Sequence, residues 1–129
     1  MTMNFVSQIS FLYYRDLAKA VKFYEEIFDF ELVVDQNWAK IYKVTDGAHI
    51  GLVDEKRGTF NWQKEKTVMI TLVTSKADEV DAWYENLKQY NVKFLSEPKD
   101  HKEINIRCFI FEDPEGYVIE IQHFYNKVS

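Results

Sequence analysis

The chain has 129 residues, which suits one domain. Its formal charge is −5, with no basic cluster beyond pairs such as Lys56-Arg57, so a nucleic-acid or polyphosphate partner is not expected. Hydrophobic residues make up 47% and aromatic residues 16%, enough to bury a core and to exclude disorder. Cys108 is the only cysteine, which rules out an internal disulfide and a cysteine-built zinc site. No apolar run is long enough to span a bilayer and the N-terminus lacks a signal-peptide layout, so the expected location is cytoplasmic.

In chain order, the β-branched and aromatic residues of 5–14 predict a first strand. Asp16 is placed to cap a helix in which Leu17, Ala20, Val21, Tyr24, Ile27 and Phe28 recur at helical spacing, and Asp29 ends it. Strands are predicted over 30–35, 38–44 and 48–53. The polar segment 54–66, with Gly58, reads as a linker. A second half opens with a strand over 67–74. Ser75 and Asp78 then resemble a capping box, and Val80, Trp83, Leu87 and Tyr90 supply an apolar stripe. Strands over 92–95, 106–111 and 117–124 complete the half, with a charged loop, 96–105, that contains Pro98 and His101.

Asp113-Pro114-Glu115-Gly116 reads as a tight turn feeding the last strand. Alternation there sends Ile119 and Ile121 to the core, with Val118, Glu120 and Gln122 on the opposite side; His123 falls with the isoleucines. A carboxylate in mid-strand late in a small domain is either solvated or lines a pocket.

The two halves match when the sequence is slid sixty positions along itself. Phe23-Tyr24-Glu25-Glu26-Ile27 falls on Trp83-Tyr84-Glu85-Asn86-Leu87, and Ile9-Ser10-Phe11-Leu12 falls on Met69-Ile70-Thr71-Leu72. After a change in loop length, Asp46-Gly47-Ala48-His49-Ile50-Gly51-Leu52 falls on Glu115-Gly116-Tyr117-Val118-Ile119-Glu120-Ile121. The expected fold is therefore α+β. Two pseudo-symmetric βαβββ modules (5–53 and 67–124) form a curved mixed sheet around a concave cup, helices outside, within a single domain over 1–129.

These paired modules, the Asp16-Leu17 … Phe23-Tyr24 helix opening and the Asp113-Pro114-Glu115-Gly116-Tyr117 turn before a strand carrying Glu120 resemble the vicinal oxygen chelate superfamily. That group includes glyoxalase I, extradiol dioxygenases, fosfomycin-resistance enzymes, methylmalonyl-CoA epimerase and bleomycin-resistance proteins. The resemblance covers almost the whole chain and implies a small-molecule site in the cup, frequently a divalent metal, and homodimerisation. Carried over by spacing from Asp16 and from the Asp113-Pro114 turn, the metal-ligand positions are Ile9, Gly51, Met69 and Glu120, and the internal repeat pairs Ile9 with Met69 and Gly51 with Glu120. Only Glu120 suits a hard or borderline divalent ion, and a one-residue slip would bring only Gln8 in place of Ile9. No metal or other cofactor is expected on this register.

Ile9, Phe11, Tyr13, His49, Gly51, Met69, Glu120 and Gln122 are thus the expected ligand-binding residues, and Glu120 with His49 the candidate acid–base pair. Against that pair stands a rim histidine and a hydrogen-bonded remnant carboxylate. Arg107 is a possible partner for Glu120 or a surface arginine, and His101 is a solvated loop residue or a closing one. Trp38, Tyr42, Phe60 and Trp62 line the cup or a dimer groove, or belong to the core. Two functions follow. One is a metal-free binder of a hydrophobic, aromatic or cationic compound, similar to bleomycin-resistance proteins. The other is a divergent lyase, isomerase or dioxygenase-type enzyme, metal-dependent or using Glu120 and His49. A structural or regulatory dimer is a third.

Overall fold

Strand pairing in the first half starts where its partner strand starts. The computed structural model describes residues 3–126, so the two ends of the expected 1–129 domain lie outside the described residues. Strand β1 (Gln8–Tyr14) runs parallel to β4 (Ala48–Asp54), with Gln8 opposite Ala48. It begins later than the expected residue 5 because β4 offers no ladder partner before Ala48. Phe5 and Val6 are consequently almost fully exposed. With β2 (Glu31–Asp35) and β3 (Ala39–Thr45) these strands form a four-stranded sheet in the order β1-β4-β3-β2.

Helix α1 (Leu17–Phe28) has the termini the sequence predicts. Asp16 Oδ1 accepts the Lys19 N–H at 3.1 Å, and Asp29 closes the helix in the left-handed region at φ 55°. Ala20, Tyr24, Ile27 and Phe28 are buried against the sheet face that carries Leu12, Tyr14, Ile50 and Leu52. The polar tips on this packed face are satisfied. Tyr14 Oη donates to Tyr24 Oη at 3.3 Å, and Tyr42 Oη donates to Glu25 Oε2 at 2.6 Å. Tyr42 is therefore a core residue, and its burial together with the Glu25 acceptor raises its pKa.

The segment expected as a linker is largely exposed but makes several contacts with the first unit. Glu55 N–H donates to Tyr14 O at 3.0 Å, and Phe60 meets Tyr13 edge-on with ring centroids 5.5 Å apart. Trp62 N–H donates to Glu55 Oε1 at 3.0 Å, and the Arg15 guanidinium lies 3.7 Å from the centre of the Trp62 ring. The chain divides into two compact units, Met1–Gln63 and Lys64–Ser129, so the division falls inside this segment.

The second unit contains β5 (Met69–Val73), α2 (Ala77–Leu87), β6 (Lys93–Phe94), β7 (Lys99–His101), β8 (Ile106–Glu112) and β9 (Val118–Phe124). Its sheet runs β5-β9-β8-β6, with β7 also paired to β8 and β5 parallel to β9. β7 lies within the expected loop 96–105. Its residues alternate poorly in polarity, but a hairpin return lets Lys99 and His101 pair with Cys108 and Ile106. The helix start also differs from expectation. Lys76 is the N-cap, and Glu79 rather than Asp78 is the acidic partner. Its Oε1 accepts the Lys76 N–H at 2.9 Å and the Ser75 hydroxyl at 2.8 Å. Val80 and Leu87 are buried as expected, Trp83 is half-buried, and Tyr84 packs against Phe94 and Phe109.

The turn before β9 is built by Asp113. Its buried Oδ1 accepts the N–H groups of Glu115 (2.9 Å) and Tyr117 (3.0 Å), while Gly116 adopts φ 93°. The α+β class of two strand–helix–strand modules is thus present, with one mixed sheet in each unit. No helix among the described residues is long and apolar enough to cross a membrane.

Candidate functional site

The parallel ladders place the candidate residues. Sixty positions carry Phe11 onto Thr71, and the longer step after the loop change carries Gly51 onto Glu120. In the structure Phe11 pairs with Gly51 and Thr71 pairs with Glu120, so the repeat has the same register in both units.

In the second unit, Phe109, Phe111, Ile119 and Ile121 lie on the α2 side of the sheet. Glu120 and Gln122 project from the other face, as alternation predicts, together with Met69, Thr71, Cys108 and Ile110. Glu120 is only 9% exposed. Its Oε1 accepts the Thr71 hydroxyl at 2.8 Å. Burial, and then the Glu120 carboxylate that accepts its S–H, push the Cys108 thiol up to about 11. Gln122 is 6% exposed, and its Oε1 has no hydrogen-bond partner. Thr71 and Cys108 were not among the site residues expected from the sequence. A parallel pairing of the first and last strands would have found Thr71, but Cys108 depends on β8 lying beside β9.

Arg107 lies on the α2 side and does not reach Glu120. Its Nε and Nη2 donate to the two Asp81 carboxylate oxygens at 2.9 and 2.7 Å, and Nη1 lies 3.3 Å from Asp100 Oδ1. This fork holds the Asp81 carboxyl below the usual carboxylate range. His101 is a half-buried strand residue of β7, beside a cleft of about 460 Å³ that is also lined by Asp100, Lys102, Asn105, Ile106 and Tyr125. His123, on the α2 side, has Nδ1 3.2 Å from Thr74 O.

In the first unit, Ile9, Phe11 and Tyr13 share the helix-free face with His49, Gly51 and Val53. Phe11 is 46% exposed, and its ring lies over Gly51. A Cβ at position 51 would stand 2.4 Å from Phe11 Cδ1, so a side chain there would require the Phe11 ring to move. His49 is half-buried, with Nδ1 2.6 Å from Ser7 Oγ. His49 and Glu120 belong to different units. Trp38 carries the Arg57 guanidinium 5.6 Å from its ring centre, in a contact within the first unit.

The divalent ion implied by the resemblance does not fit these side chains. Ile9 and Gly51 supply no donor, the Phe11 ring fills the space above Gly51, and Met69 supplies only a thioether. Among the described residues, no group of three or more His, Cys, Asp or Glu converges as metal ligands.

The module architecture and the Glu120 strand define a family. Residues 5–121 match the model of the Glyoxalase/Bleomycin resistance protein/Dioxygenase superfamily, and the chain belongs to that superfamily. A glyoxalase/bleomycin resistance protein/dioxygenase from Nocardioides is 22% identical, with a TM-score of 0.77 over 100% of this chain and 92% of that one. A family enzyme from Burkholderia phytofirmans PsJN is 15% identical, with a TM-score of 0.78 over 89% and 95% of the two chains. A lactoylglutathione lyase from Agrobacterium tumefaciens is 17% identical, with a TM-score of 0.73 over 89% and 90%. These likenesses establish the shared fold. Among curated proteins no relative is found.

Proposed function

We propose that this protein binds a small organic molecule on a helix-free sheet face without a catalytic metal, and that it does so as a homodimer. The donor set carries the reading. Of the four positions that the superfamily resemblance marks for metal ligation, only Glu120 bears a suitable oxygen, and that oxygen already accepts Thr71. Glu120, Gln122 and Met69 provide a polar patch with an apolar border in one unit. Ile9, Phe11, Tyr13, His49 and Gly51 provide an aromatic face in the other, suited to flat apolar groups.

Metal analysis of protein purified without chelator tests the first half. The expected result is substoichiometric Ni, Zn, Mn and Fe; a full equivalent that disappears in Glu120→Ala would sink the metal-free reading. Tryptophan fluorescence titration with aromatic and cationic compounds tests the second half, with saturable quenching expected. Acid–base catalysis by Glu120 is the second reading, favoured by burial of that carboxylate. Unchanged turnover of any identified substrate by Glu120→Gln dismisses it.

A further inference from the structure

Building on that reading, we propose that Glu120 and Gln122 form an acceptor pair for a cationic N–H group of the ligand: an amidinium, a guanidinium or a primary ammonium. The two side chains leave β9 on the same face two residues apart, roughly 7 Å along the strand. Both are more than nine-tenths buried.

The two residues lack complementary partners. Gln122 Oε1 is sealed from solvent with no donor on it, an arrangement that costs free energy in the empty protein and is relieved by a donor from outside. Glu120 takes its hydrogen bonds from the Thr71 hydroxyl and the Cys108 thiol, both neutral. Among the described residues no Lys, Arg or His forms an ion pair with Glu120. Arg107, on β8 beside it, faces α2 and is engaged by Asp81 and Asp100. A buried carboxylate without a counter-charge favours a cation brought by a ligand.

The neighbours define the rest of the group that fits. Thr71 is exposed and Met69 is 49% exposed, so the patch borders solvent on the β5 side. Met69 and Ile110 flank the acceptors with apolar surface that suits the body of an aryl or alkyl cation. A quaternary ammonium satisfies the charge but offers Gln122 no N–H. A neutral amide offers the N–H without the charge. Only a protonated nitrogen with hydrogens satisfies both residues, through charge-assisted bonds.

The test uses the full chain, isotopically labelled, with three probes: benzamidine, benzamide and benzyltrimethylammonium. NMR titration follows the backbone amides of 118–124 and the Gln122 side-chain amide. Benzamidine is expected to bind roughly tenfold or more tightly than either comparator. Glu120→Gln is expected to remove that preference. Gln122→Met is expected to weaken benzamidine binding while raising the Tm of the ligand-free protein, because it replaces an orphaned oxygen with apolar surface.

Equal affinity for benzamidine and benzamide, or a preference that survives Glu120→Gln, overturns the acceptor pair and leaves metal-free binding of a neutral compound standing. No shift with any probe at millimolar concentration also overturns it; the metal analysis and the wider fluorescence panel then decide the broader reading separately. Should Glu120→Gln fail to fold by circular dichroism, Gln122→Met carries the test, and undiminished benzamidine affinity in that variant is the overturning result.

Discussion

At position 51 the backbone runs beneath an aromatic ring, and that contact accounts for a glycine in the middle of a strand. Phe11 occupies the space a side chain would need. We expect Gly51→Ala to cost about 1–2 kcal/mol, the usual penalty for crowding a packed site, and Phe11→Ala to relieve much of it. Urea unfolding of the two single variants and the double variant measures the coupling; strictly additive effects would show that the ring does not set the glycine.

Cys108 gives a prediction of opposite chemistry. Burial and the Glu120 acceptor hold its proton in the folded protein up to about pH 11, whereas the unfolded thiol releases its proton near 9. The stabilising contribution is therefore complete below pH 9 and is lost as pH rises from 9 to 11. Tm should fall across that window, and Cys108→Ala should flatten part of the fall. In the native state at pH 8 the thiol should also resist iodoacetamide, becoming reactive on unfolding. Rapid native alkylation would contradict the buried, carboxylate-facing placement.

Among the elements, the two helices are held in different ways. α1 relies on its caps and its buried stripe. Asp29 adopts φ 55°, a conformation glycine enters without steric cost, so Asp29→Gly should raise stability by roughly 0.5–1 kcal/mol in thermal unfolding. α2 is tied to β8 by the Asp81–Arg107 fork. Asp81→Ala should cost about 1 kcal/mol, a figure already reduced because the Asp81 side chain is 46% exposed and screened by water. Since Arg107 lowers the Asp81 pKa, this contribution is present above the usual carboxylate range and fades as pH drops through the folded value. A wild-type and Asp81→Ala pair whose stability difference grew at low pH would contradict the assignment.

For the whole molecule, exposed apolar side chains accompany both units: Ile9 and Phe11 in one, Val68, Met69 and Val73 in the other. Exposed apolar side chains of this kind are suited to a contact surface. Together with the superfamily membership it supports the proposed homodimer. Sedimentation velocity at micromolar concentration should show a dimer, and a monomer throughout that range would refute it.

Most of the elements, the caps of α1 and the directions of the β9 side chains from Val118 to His123 could be read from the sequence, because each depends on local periodicity and on one or two neighbouring residues. The internal repeat was legible for the same reason, and it matched Ile9 with Met69 and Gly51 with Glu120; the ladders that set Gly51 against Phe11 and Glu120 against Thr71 came from the strand pairing. The tertiary structure decided what touches those positions. β7 exists only because its residues find β8, and Cys108 meets Glu120 only because β8 lies beside β9. Arg107 meets Asp81 on the helix side, and Gln122 is left with a bare acceptor. Such partners are chosen by strands and helices far apart in the chain, and the free energy that selects them is a sum over long-range packing that no local pattern records.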